Sequence, residues 1–453
     1  MDPSTVRLTT AQALLRFLQA QVVARDGVRQ ALFDGCLGIF GHGNVGGLGQ
    51  ALHEARAHFR YYLGRNEQSM VHIAAAYARA RDRMSVLAVT SSIGPGATNL
   101  VTGAAGATIN RLPVLLLPAD MPASRRPRPV LQQLEHGGSA TVSVNDCLRP
   151  VSVYWDRIER PEQLLWAAPE AVRMLTDQAA TGAVTLALPT DVQSEAYDFP
   201  AELFRERVWT VPRPRPDAAF LAEAARMIGA ARRPFIVAGG GVIYSGATGA
   251  LRRLVDATGI PVGETMAGKG ALPHDHPSNA GAFGVNGTPC AFALAQEADV
   301  VIGIGTRWTD VTSVSQTAFA NPDVRFVNIN VAAFDAAKQS ATGVVADARE
   351  AIAALTGTIG RTWDTPGAGD VAAWQRTVDE AYHLGHGPLP AQSEVIGAVN
   401  DACGERDVVV QAAGSMPGDL QLLWRARDPQ QYHVEYGYSC MGFEIAGALG
   451  VRM

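Results

Sequence analysis

Residues 86–99 read VLAVTSSIGPGATN. Val86–Thr90 is a short aliphatic run with the length and composition of a buried strand. It ends in hydroxyls, Thr90-Ser91-Ser92, and a Gly94-Pro95-Gly96 turn then opens an alanine-rich stretch. A strand, a tight turn and a helix start in direct succession are the repeating unit of an α/β fold. Glycines in such a turn let another backbone or a ligand approach closely, and the backbone N–H groups of the following helix favour polar or anionic groups. By itself the turn needs no ligand.

The same alternation extends in both directions. Strands are expected near Leu37–Phe40, Val86–Thr90, Val114–Leu117 and Ala183–Leu188, with helices at Ala11–Leu18, Met70–Arg81 and Ala97–Ile109 between them. Residues 1–191 therefore read as one domain with a parallel sheet flanked by helices. The Pro-rich run 192–217 reads as an irregular linker. A second α/β unit over 218–356 has strands at Phe235–Ala238, Ile260–Val262, Asp299–Gly305 and Val324–Ile329 and a helix at Thr248–Thr258. Residues 357–392 read as a second linker. A third unit, 393–453, starts with a strand at Asp407–Gln411 that enters Ala412-Ala413-Gly414-Ser415, and a small-residue helix follows at Met441–Gly450. One strand and one or two helices are less than the first sheet contains, so this unit is expected to be a truncated domain; a small appendage is the other reading.

Composition narrows the function. Of 453 residues 47% are hydrophobic and 18% charged, and the net charge is −5. That supports several apolar cores and argues against nucleic-acid or membrane-surface binding. The short basic stretches 125–129 and 212–216 are broken by proline and read as solvated loops. Five cysteines occur, Cys36, Cys147, Cys290, Cys403 and Cys440, with no C-x-x-C pair, as expected of reduced thiols in a cytoplasmic protein. No apolar run approaches the ~20 residues of a membrane span, and the N-terminus lacks the pattern of a signal peptide.

Three further motifs could carry chemistry. Gly41-His42-Gly43-Asn44-Val45-Gly46 matches G-x-G-x-x-G. The dinucleotide fingerprint also wants a strand and an acidic residue about 20 positions on, whereas residues 47–64 read as one helix containing Glu54. A close-approach loop beside another ligand is the better reading, and nicotinamide binding a distant one. In Arg65-Asn66-Glu67-Gln68 the glutamate opens an apolar helix, where a carboxylate is usually just a favourable charge on the helix dipole; His72, one turn on, reads as a packed or surface residue rather than a ligand. In Glu435-Tyr436-Gly437-Tyr438-Ser439-Cys440-Met441-Gly442-Phe443 a loop delivers a bulky Met441, generically a core residue.

Taken together, Asn66-Glu67-Gln68, Ala76-Tyr77-Ala78-Arg79-Ala80 and Gly94-Pro95-Gly96-Ala97-Thr98-Asn99 resemble the thiamine-diphosphate enzymes of the acetolactate synthase and pyruvate oxidase group. Residues 218–356 look like the central domain of that group, and Tyr438–Gly450 like the start of its cofactor domain. The resemblance implies a three-domain thiamine-diphosphate enzyme fold, truncated in the third domain. Acetolactate synthases usually carry Gly-Pro-Gly-Gly where this chain has Gly41-His42-Gly43-Asn44. With Arg65–Met70, Ser415–Leu420 and Glu435–Gly442, that difference points to a branch of cyclic-diketone hydrolases. Those open a polyhydroxy cyclic diketone to 5-deoxy-glucuronate by adding water across a C–C bond in myo-inositol catabolism.

The resemblance also implies roles. Glu67 would be catalytic, hydrogen-bonding the aminopyrimidine ring of the cofactor, a task helped by a dry, apolar site. Gly41, Gly43, Asn44, Pro95 and Gly96 would line the cofactor pocket. The Ser439 backbone would hold the exocyclic amine, with Cys440 beside it, and Met441 would be the wedge that bends the cofactor. His42 and Gln68 are candidates for substrate hydroxyls, with Asn44 a further one. The family holds diphosphate and Mg²⁺ through a Gly-Asp-Gly-Ser turn and a downstream Asn pair. Gly369-Asp370 and Gly418-Asp419 lack that pattern, so no metal ligand is carried over. The ligands are expected beyond Met453, and the chain as given is expected to be inactive. A homodimer or tetramer is implied, since the family builds its site from two subunits. Another thiamine-dependent lyase or carboligase, or a shortened non-catalytic binding protein, are the other readings.

Overall fold

The computed structural model describes residues 4–126, 129–364, 368–412 and 414–453. The chain gathers into two compact units, Met1–Pro212 together with Glu435–Met453, and Arg213–Val434.

The first unit is built on six strands: Phe33–Gly38 (β1), Arg60–Leu63 (β2), Val86–Ser91 (β3), Val114–Asp120 (β4), Tyr154–Arg157 (β5) and Ala183–Pro189 (β6). Their spatial order is β2-β1-β3-β4-β6-β5, and every neighbouring pair is parallel. β3, β4 and β6 are buried along their whole length, which explains their unbroken apolar sequences. Helix Thr10–Gln19 covers one face with Ala11, Leu14, Leu15 and Leu18, the spacing of a single helical stripe. Its start is fixed by a capping box in which Thr9 and Gln12 exchange hydrogen bonds. On the other face lie Glu67–Ala80 (α1) and Val101–Ile109 (α2); Phe443–Arg452 (α3) returns from the end of the chain to pack along α1.

Two expectations for this unit need correction. Residues 47–64 are not one helix: a helical segment ends at Ala55 and the chain then forms β2. The Tyr61 ring stacks on Phe40 with centroids 5.0 Å apart, and β2 pairs with β1 at the sheet edge, so tertiary pairing overrides the helical pattern. Nor is the first linker irregular. Ala196–Pro200 pairs antiparallel with Thr5–Thr9, and Arg207–Thr210 pairs parallel with Gln21–Arg25. Their partners lie nearly two hundred residues away, which local periodicity does not register.

The second unit has its own six-stranded parallel sheet, Pro234–Ala238, Val262–Glu264, Asn279–Ala282, Val300–Ile304, Arg325–Asn330 and Thr342–Val345. Ile236, Val262 and Val327 are fully buried in its core, with Leu251 from helix Thr248–Thr258. Arg213 is not solvated as its Pro-rich setting suggests. It pairs with the buried Asp347 at 3.0 Å and donates to the Ser245 carbonyl at 2.7 Å. In the second linker Trp363 is buried and donates to the Ala231 carbonyl at 3.2 Å, and Ala368–Ala381 is helical. Residues 365–367, like Pro127 and Arg128 of the first basic stretch and Ala413, lie outside the described residues. Val409–Gln411 pairs with Tyr432–Val434 in a two-stranded parallel sheet of this unit. Residues 393–453, read as one domain start, are thus shared: up to Val434 they lie in the second unit, and from Glu435 in the first.

Candidate active site

Because the strands of the first sheet are parallel, all their carboxyl ends lie along one edge. Strand order reverses at β1, with β2 added on one side and β3 on the other. Ligand crevices of open α/β sheets form at such a switch point. The loops that meet there are 41–44, after β1, and 92–96, after β3. The Ile93 N–H donates to the His42 carbonyl at 3.0 Å. Gly43 sits at φ +99°, and a Cβ there would come within 2.2 Å of the Ile93 side chain, so only glycine allows the loops to close on one another.

Asn44 holds the first loop in shape. Its side chain is buried, accepts from the Gly41 N–H at 2.9 Å, and donates to the Ile39 carbonyl at 3.1 Å and Thr90 Oγ1 at 3.3 Å. His42 is exposed at the loop tip. Pro95 is exposed and begins the short helical turn Pro95–Thr98, where its carbonyl accepts from the Asn99 N–H at 3.1 Å.

Glu67 stands beside this crevice, at the first position of α1. Asn66 caps the helix by accepting from the Ser69 N–H at 2.9 Å, which directs Glu67 inward, where it is only 9% exposed. Asn99 Nδ2 donates to Glu67 Oε2 at 3.1 Å. A Cβ on Gly96 would lie 2.5 Å from Ser92 Oγ and 3.3 Å from Glu67 Oε1, so the missing side chain keeps a space in front of the carboxylate. The two motifs read from sequence, at Glu67 and at Gly94–Asn99, are brought together in the folded chain.

The third motif joins them. Gln68 Nε2 donates to Cys440 Sγ at 3.3 Å and lies 3.2 Å from His72 Nε2. The His72 ring meets Phe443 edge-on, with centroids 5.3 Å apart. Ser439 is exposed at φ +52°. Met441 is 80% exposed, so it is no core residue. An apolar side chain held in the open next to a turn is suited to contact something that arrives.

Of the two readings open for His72, the structure selects the packed one, since it is 2% exposed, and burial pushes its pKa below 6.5 against the opposing pull of Glu435 and Glu444. Burial, with Glu435 and Glu444 nearby, raises the Cys440 thiol, so it stays protonated. The His72 shift has a measurable consequence. Between its lowered folded value and 6.5 the unfolded chain binds more protons than the folded one, so the first unit gains stability as pH rises through that window and loses it on acidification. The H72Q variant is expected to flatten this slope in thermal unfolding followed against pH; an unchanged slope would refute the assignment.

Sequence reading gave no role to Asn99, Asn110 or Glu435. Asn99 and Glu435 lie inside quoted motifs, but only the folded chain brings them to their partners. Among the described residues no group of three or more His, Cys, Asp or Glu side chains is arranged to hold a metal ion. Nor, among those residues, is any helix long and apolar enough to cross a membrane.

Comparison with known proteins gives the family. The family model for the thiamine pyrophosphate enzyme N-terminal TPP binding domain matches residues 10–139, and that for the central domain matches residues 221–355. The chain is 46% identical over 480 residues to the 3D-(3,5/4)-trihydroxycyclohexane-1,2-dione hydrolase of Bacillus cereus (strain AH820), which covers 99% of this chain and 74% of the relative. The same figures hold for the enzyme of that name from Bacillus anthracis (strain CDC 684 / NRRL 3495). Over 478 residues, the one from Bacillus thuringiensis (strain Al Hakam) is also 46% identical, with equal coverage. With a glutamate at a helix start facing a glycine-lined switch-point crevice, and both family domains in sequence, the chain belongs to the thiamine pyrophosphate enzyme family.

Proposed function

We propose that this chain belongs to an enzyme of hydrolytic C–C ring opening, acting on 3D-(3,5/4)-trihydroxycyclohexane-1,2-dione with thiamine diphosphate and Mg²⁺. The observation that carries the reading is the 46% identity, maintained over 99% of the chain, to hydrolases of that name. The pyrimidine side of the cofactor fits the residues present, because the gap at Gly96 opens directly onto the Glu67 carboxylate. Thiamine diphosphate, when bound, supplies a carbon nucleophile that attacks a carbonyl and stabilises the resulting negative charge.

The chain supplies orientation and proton placement. Glu67 would face the ring nitrogen of the aminopyrimidine, held in line by Asn99 on its other oxygen. The backbones of Gly41, Gly43, Pro95 and Gly96 would line the ring, with Asn44 acting through the loop it braces. The Ser439 carbonyl would take the exocyclic amine and Met441 would support the bend of the cofactor. His42 is placed to meet substrate hydroxyls, and Gln68, with its amide nitrogen turned to His72 and Cys440, would offer its carbonyl oxygen. No diphosphate or Mg²⁺ ligand is assigned to the described residues. Five unpaired thiols suit the reducing cytoplasm. The exposed apolar row Met441, Ile445 and Leu449 suits burial in a homodimer or tetramer.

The test is an assay of the whole gene product, with thiamine diphosphate and Mg²⁺, on the cyclic dione and on pyruvate. Ring opening of the dione is expected. Turnover of pyruvate alone would replace this reading with a carboligase, and turnover of neither substrate would favour a non-catalytic binding protein.

A further inference from the structure

The loop that carries Ser439 and Met441 is shaped by one carboxylate. Glu435 is 3% exposed. Its Oε1 accepts from Asn110 Nδ2 at 2.7 Å and from the Tyr438 N–H at 2.9 Å, and its Oε2 accepts from the Cys440 N–H at 2.7 Å. The two backbone donors flank Ser439, which adopts φ +52°. That left-handed conformation is disfavoured for a residue with a side chain and persists only where its surroundings impose it. Here the imposition is visible: a buried anion takes the N–H groups on both sides of Ser439 and so curls the backbone around itself. Asn110, at the end of α2, anchors the anion, since its Nδ2 also donates to the Gly106 carbonyl at 2.8 Å. The far side of the curl is held by Gln68, whose amide reaches Cys440 Sγ and which adjoins Glu67 in sequence.

We propose that Glu435 is a positioning residue of the active site: its buried carboxylate moulds the Tyr438–Cys440 turn against the helix that carries Glu67, and so sets where the Ser439 carbonyl and the Met441 side chain meet the cofactor. The inference rests on the reading that these two groups contact thiamine diphosphate. Glu435 acts through the turn, not on the reacting atoms. The groups hydrogen-bonded to it, Asn110 and the two amides, are all donors, so a carboxylate matches them and an amide does not.

The test compares wild type with E435Q and N110A. Glutamine keeps the length of the side chain but turns an N–H₂ donor toward one of the donors that glutamate satisfies. Hydrogen–deuterium exchange at the Tyr438 and Cys440 amides is expected to rise at least ~10-fold in E435Q, while α1 stays protected. Thiamine diphosphate Kd is expected to rise in parallel by about tenfold, with the KM for the dione little changed. N110A, which removes a single neutral donor, is expected to shift both readings in the same direction by less, and it carries the test if E435Q does not fold. Unchanged exchange in the turn overturns the proposal. So does a loosened turn with cofactor affinity and kcat at wild-type values. If the wild-type enzyme turns over pyruvate and not the dione, the substrate reading fails, while exchange and cofactor affinity still judge Glu435.

Discussion

In the E67Q variant of the loaded enzyme kcat is expected to fall by at least ~10², with a thermal midpoint close to that of wild type. The change is nearly isosteric. Asn66 still caps α1, because that hydrogen bond runs to the Ser69 N–H and not through Glu67. Asn99 still finds an acceptor in the amide carbonyl. What is lost is the acid–base function of the second oxygen, the one facing the gap at Gly96. A proton held at that atom is the contribution Glu67 makes to cofactor activation in the proposed mechanism, and no neighbouring carboxylate contacts the gap to replace it among the hydrogen bonds of the described site. Measuring kcat alongside the unfolding curve separates chemistry from folding. Near-normal kcat would refute the role of Glu67.

The second large effect is expected at the other end of the chain. In G450A the added Cβ would stand 2.2 Å from the Ile73 backbone carbonyl of α1. A backbone atom does not swing away as a side-chain tip does, so α3 must lift from α1. Overpacking of this kind costs roughly 1–3 kcal/mol, and the midpoint of thermal unfolding is expected to drop by roughly 2–12 °C. The damage should be directional. The atoms nearest the added Cβ belong to Ile73 and Ala76 of α1, and the Phe443–His72 contact and the Gln68–Cys440 hydrogen bond depend on a docked α3. Protease sensitivity is therefore expected to appear within 435–453 before the rest of the unit. G229A, in helix Ala218–Ala230 and with nothing within 4 Å of the added Cβ, serves as the neutral comparison. Equal stability of G450A and wild type would mean that the close helix contact is not required.

Much of this architecture is legible in the residues. β3, β4 and β6 are continuous apolar runs because both their faces are buried, and the Gly94–Gly96 turn announces the strand-to-helix reversal. The fingerprint at Gly41–Gly46 is legible as a loop of close approach, and its packing on residues 92–96 gives the reason. The edges were harder. β2 looked helical because Tyr61 and Tyr62 have no local partner to reveal them; their pairing with β1 is what makes a strand. Residues 196–200 and 207–210 looked irregular for the same reason, since both complete sheets begun by the first 25 residues of the chain.

For the site, the sequence by itself determined its chemical inventory: a carboxylate at a helix start, two glycine turns, and a flexible loop carrying serine, cysteine and methionine, each set by local backbone demands that short motifs record. Only the tertiary structure decided that Glu67 faces Gly96 and Asn99, that Asn44 braces its own loop, that Met441 stays exposed, and that Glu435 curls the turn around Ser439. Those facts depend on hydrogen bonds and contacts between residues up to 372 positions apart. Strand order and helix docking create such contacts, and no local pattern of residues encodes them.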